Sequence, residues 1–118
     1  MADNPNLENL LQMGITAAKE GNKDGARLLL RQVIEQDRKN ERAWFWMASV
    51  AESSEKRQQY LEAVLKINPH HQAAKKQLTK MANRRSNAEQ RTLQVGIVVV
   101  LMVAVVSLLL FLVVVLAK

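Results

Sequence analysis

Two hydrophobic patterns divide the chain. From Leu7 to Ala82 the apolar residues recur three and four positions apart, with polar residues between them, which is the signature of helices with one buried stripe. Asn4-Pro5 reads as an N-cap followed by proline at the first helical position, and Leu7, Leu10, Leu11, Gly14, Ile15, Ala17 and Ala18 then mark a first helix that Gly21 stops. A second runs from about Asp24 to Asp37 on Ala26, Leu29, Leu30, Val33 and Ile34. The third begins after Asn40 and carries Ala43, Trp44, Met47, Ala48 and Ala51. Ser53 and Ser54 offer the next cap, before Tyr60, Leu61, Val64, Leu65 and Ile67, and this helix closes at Asn68-Pro69. Ala73, Ala74, Leu78, Met81 and Ala82 mark a fifth. Helices of about 12 to 16 residues joined by such short turns must pack as antiparallel hairpins, so the predicted class is all-α.

The second pattern is unbroken. From Val95 to Ala117 only Gly96 and Ser107 interrupt an apolar run, and no charged residue falls between Thr92 and Ala117. As a helix this run reaches roughly 35 Å, slightly more than the roughly 30 Å of a bilayer's hydrocarbon. Its many valines would favour a strand in water, but in lipid a lone strand leaves its backbone unpaired, so a transmembrane helix is expected. A cleavable signal peptide is not, since the run lies far from the N-terminus, which has no apolar stretch of its own. Gly96 lacks a small partner four positions on, so no small-xxx-small association motif is present.

Charge sharpens this picture. The net charge is +6, yet Met1–Ala74 carries ten basic and ten acidic residues. The excess lies in Lys75, Lys76, Lys80, Arg84, Arg85, Arg91 and Lys118, opposed there by Glu89 alone. The first six form a basic collar beside the apolar run. Positive residues near a spanning helix are retained on the cytoplasmic side, so the helical domain is expected to be cytoplasmic, with the collar available to anionic lipid headgroups. Nucleic acid is not expected as a partner, because no aromatic residues are interleaved with these cations to stack on bases. The chain has no cysteine, which excludes disulfides, thiolate metal sites and cysteine nucleophiles.

An internal repeat organises the helical part. Trp44 matches Leu10, 34 residues earlier; Met13-Gly14 then align with Met47-Ala48, and Ala17 with Ala51. At these residues, and in the stretch AVLKINPHHQAA, the chain resembles the tetratricopeptide repeat family, with one unit at 7–40 after an N-terminal cap at 1–6 and a second at 41–71. It departs from the pattern where Arg38 stands for the proline of the first unit, where the turn between the third and fourth helices is three residues shorter, and where Arg57 replaces a small residue. A helix at 72–86 looks like the polar capping helix of such arrays, followed by a basic juxtamembrane segment at 87–94 and the transmembrane helix at 95–117, with a continuous helix through Ser86-Asn87 preferred. The resemblance implies a concave groove lined by the first helix of each unit. By register it would place Leu11, Ile15, Arg42, Phe45, Ser49, Glu52, Lys76 and Lys80 there, with Trp44 in the core; Phe45 and Trp46 are expected either to anchor a partner segment or to contact the neighbouring helix. The Lys/Asn clamp with which some members hold a terminal carboxylate is not supported, since Leu11 and Ile15 occupy the first-unit positions.

Candidate chemistry is sparse. His70 and His71 are adjacent in a turn, where neighbouring side chains do not converge on one metal, and Ser53 and Ser54 read as caps. Gly21 and Gly25 flank a helical hairpin rather than a phosphate loop. The expectation is a noncatalytic adaptor or scaffold without cofactor or metal, holding another protein in its groove at a membrane, by the repeat and charge bias a bacterial plasma membrane. The alternative is a constitutive single-helix accessory subunit of a larger respiratory, photosynthetic or transport complex, with the membrane helix as its binding surface.

Overall fold

A computed structural model describes residues 5–118. The expected cap at Asn4 lies outside them. The described chain is all-helical: α1 (Pro5–Lys19), α2 (Lys23–Gln36), α3 (Glu41–Ser49), α4 (Ser54–Ile67) and α5 (Gln72–Leu116). The segments delimited from sequence at 72–86, 87–94 and 95–117 are therefore one helix, which passes through Ser86-Asn87 without a break. Two compact units divide the chain, Met1–Met81 and Ala82–Lys118.

In the first unit the starts of α2, α3, α4 and α5 are each set by one side chain. Asn22 Oδ1 accepts the Gly25 N–H at 3.0 Å and Asn40 Oδ1 that of Ala43 at 3.1 Å. Ser53 Oγ accepts from Lys56 at 3.1 Å, and His71 Nδ1 from Ala74 at 3.1 Å. Each satisfies a first-turn N–H that has no partner within its helix. The α1 terminus needs a glycine: Gly21 sits at φ +83°, its N–H donates to the Ala18 carbonyl and that of Asn22 to the Ala17 carbonyl. This is the left-handed closure that a side chain at that position strains.

Helix α3 has nine residues, shorter than the predicted range, and the cause is visible in its neighbours. Arg27 of α2 donates to the Val50 carbonyl just past its end, and Arg57 Nε of α4 donates to the Ala48 carbonyl at 3.3 Å. Two guanidinium groups thus take up carbonyls that another turn of helix would otherwise have used, at the end where the helix dipole favours cations. Arg57, a departure from the repeat pattern, has a structural role here that a small residue cannot fill.

The packing follows the repeat. Helices α1 and α2 form one hairpin, α3 and α4 a second, and α3 lies against both α2 and α1. Leu11, Ile15, Ala26, Leu30, Val33, Ala43, Met47 and Val50 make one buried cluster; Ala48, Leu61, Val64 and Ala74 make another, flanked by Leu78 and Met81 of early α5. Leu30 and Leu61, and Val33 and Val64, are buried counterparts 31 residues apart. The connections match as well. Asp37 and Asn68 end their helices in extended conformation, and each accepts a backbone N–H two residues on through its side-chain oxygen.

The open end of this stack differs in composition. Ala43 and Met47 of α3, and Val50 just past its end, are buried against the first hairpin, and their counterparts one unit earlier are Asn9, Met13 and Thr16, all exposed. No described residue covers them, and two of the three positions are polar. At the other end Ala74, Leu78 and Met81 repeat the spacing of Ala43, Met47 and Val50, and the start of α5 covers the second hairpin.

In the second unit the residues from Ala82 onward are helical to Leu116, and every side chain is exposed. The helix is long and apolar enough to cross a membrane, and none of the described residues covers its apolar surface.

Candidate functional site

The residues assigned to the groove separate into three groups. Leu11 and Ile15 do not belong to it: they are 1% and 5% exposed and form part of the first cluster with Leu30, Val33 and Met47. Stacking α3 on the first hairpin covers them, and two branched apolar side chains gain more by that burial than by facing water.

Arg42, Phe45, Trp46 and Glu52 are each engaged within the first unit. Arg42 Nη1 lies 3.2 Å from Glu8 Oε1, which is its repeat counterpart 34 residues earlier, so equivalent positions of α1 and α3 face one another. Hydrogen bonding from Gln12, and then from Arg42, holds the Glu8 carboxyl below the usual carboxylate range. The Phe45 ring is half-buried against the His71 imidazole, with centroids 4.9 Å apart. Trp46 is half-buried at the edge of the first cluster with the Lys19 ammonium over its ring, 5.7 Å from the centroid. Glu52 meets Arg27 Nε at 3.5 Å, and Arg27 is further held by Asp24.

Ser49, Lys76 and Lys80 remain. Ser49 Oγ donates to the Trp46 carbonyl at 2.6 Å on an exposed position. Lys76 and Lys80 are exposed and border a shallow depression with Gln72, Ala73, Lys75 and Thr79. This basic surface faces no acidic side chain of its own helix before Glu89. Trp44, expected in the core, is only half-buried: it packs on the second cluster, its ring tilted against Tyr60, while its indole N–H donates to the Arg38 carbonyl at 2.8 Å. That bond ties down the turn after α2, and an indole must keep its N–H paired.

The collar residues are all exposed. Lys75, Lys76 and Lys80 belong to the first unit; Arg84, Arg85 and Arg91 belong to the second, with the apolar run. Arg84 and Arg91 are seven positions apart and share one side of the helix, with Arg85 turned about 100° away.

Sequence reasoning missed four features: the Arg27 and Arg57 clasp on α3, the His71 cap, the Lys19–Trp46 contact and the Glu8–Arg42 pair. Only the last carried a signal, since opposite charges stand at matched repeat positions. Among the described residues no three His, Asp or Glu side chains converge as metal ligands do. Comparison with protein-family models, curated proteins and solved structures finds no match to this chain.

Proposed function

We propose that this protein is a noncatalytic interaction module held in a membrane: a tetratricopeptide-like domain that binds another protein, and an apolar helix that keeps the complex at the bilayer. The observation that carries this reading is the pairing of a stacked, repeat-patterned helical unit with a helix whose apolar surface has no cover among the described residues. Aqueous exposure of so many Val, Leu and Ile side chains is unfavourable at roughly 25 cal/mol per Å², which a bilayer relieves. The partner surface comprises Arg42, Ser49, Glu52, Lys76 and Lys80, with Phe45 and Trp46 contributing their exposed edges. Holding such a surface at a membrane raises its effective concentration, so a weak contact suffices. The basic residues favour a cytoplasmic domain at anionic lipid, in our reading at a bacterial plasma membrane.

The test is extraction of the full chain in mild detergent, sizing of the native species and identification of co-migrating proteins by mass spectrometry. Lys76→Glu with Lys80→Glu is expected to release the partner, whereas a scrambled apolar helix of equal composition retains it. The reverse result would assign the chain to the second reading, a constitutive subunit bound through its membrane helix, which the uninterrupted exposure of that helix also favours.

A further inference from the structure

Three of the four capped helix starts in the first unit use an amide or hydroxyl oxygen, from Asn22, Asn40 and Ser53, and these acceptors do not titrate. The fourth is different. His71 Nδ1 accepts the Ala74 N–H at 3.1 Å, the place and distance at which Asn40 serves Ala43 one repeat earlier. The turns leading into the two caps are also alike: the Asn40 N–H donates to the Asp37 carbonyl and the His71 N–H to the Asn68 carbonyl. Within one repeated geometry, imidazole has replaced amide at the start of the helix that continues through the apolar run.

Imidazole accepts at Nδ1 only while that nitrogen carries no proton; the cation donates from both nitrogens. Protonation therefore removes the cap from Ala74. It also places a positive charge at the positive end of the helix dipole, with Lys75 and Lys76 in the same turn. The other side packed against His71 is the Phe45 ring of α3. The charged groups closest in sequence to Phe45 and to the turn that carries His71 are Glu41 and Arg42 of α3, the latter engaged by Glu8, and Lys66 and His70 at the α4 end. No ion pair joins any of them to His71 among the described residues. Ala74 itself is fully buried between Ala48, Leu61 and Val64, so the first turn of α5 cannot fray without disturbing the second cluster.

We propose that His71 is a pH-sensitive clamp on the start of α5. With the imidazole neutral the first turn is capped and Ala74 is held in the core; acidification releases the cap and loosens early α5 from the second hairpin. The device stands on the cap geometry alone and does not depend on the function proposed above.

The experiment is amide hydrogen exchange at Ala74 in the full chain in detergent micelles, expressed as protection relative to the intrinsic exchange rate at each pH. Protection in the wild-type chain is expected to fall about five-fold on acidification from about pH 8 to about pH 5.5, the equivalent of losing one N-cap. His71→Asn is expected to remain protected at both ends of that range, His71→Ala to be weakly protected at both, and His70→Asn to follow the wild type. Wild-type protection independent of pH, or a fall that persists undiminished in His71→Asn, would overturn the proposal.

Discussion

At the scale of single residues, side chains that look interchangeable in a list carry unequal weight. Gly14 is required by contact rather than by backbone conformation: a Cβ there would stand 2.9 Å from Leu30 Cδ2, against a leucine with no exposed surface. Gly14→Val is expected to lower unfolding stability by about 1–3 kcal/mol through overpacking, read as a reduced denaturant midpoint without a change in slope. Glu8 shows how a surface contact enters pH dependence. Its folded carboxyl titrates below the unfolded one, so its contribution is present above the ordinary carboxylate range and is lost as pH falls through the folded value. The melting temperature of Glu8→Gln is therefore expected to lie slightly below wild type at neutral pH and to converge with it in acid; a gap that widens on acidification would contradict the assignment.

At the scale of elements, helix ends were more legible than helix lengths. Gly21 stops α1 as its sequence position predicts, and the left-handed φ makes the requirement quantitative: Gly21→Ala is expected to destabilise by about 1–2 kcal/mol in thermal or chemical unfolding. The short α3 was not legible. Its apolar spacing runs on to Ala51, and termination at Ser49 depends on guanidinium groups from α2 and α4 that are distant in sequence. Continuity of α5 was a matter of propensity alone, since Ser86-Asn87 weakens a helix without breaking it.

For the whole molecule, the prediction concerns sidedness. The chain has no cysteine, so a single exposed one reports its own compartment. With Gln58→Cys in the exposed part of α4, a membrane-impermeant maleimide is expected to label the protein only after the membrane is permeabilised. Labelling of intact cells from outside would place the helical unit on the opposite face and remove the argument from the basic collar.

What the sequence determined by itself was local and periodic: the all-helical class, the order of the helices, the start of α3 after Asn40, the cap at Ser53, the glycine stop, and a run too apolar for water. Each follows from spacing along the chain, because helical period, capping and transfer to lipid act over a few residues or sum over one segment. Only the tertiary structure decided which faces are covered. It drew Leu11 and Ile15 out of the expected groove and into the core, left Trp44 half-exposed, tied to a turn through its indole N–H, and turned Arg57 into a cap for the end of a neighbouring helix. Those outcomes depend on how one hairpin lies on the next, and a stripe of apolar residues states that burial is needed without stating which neighbour provides it.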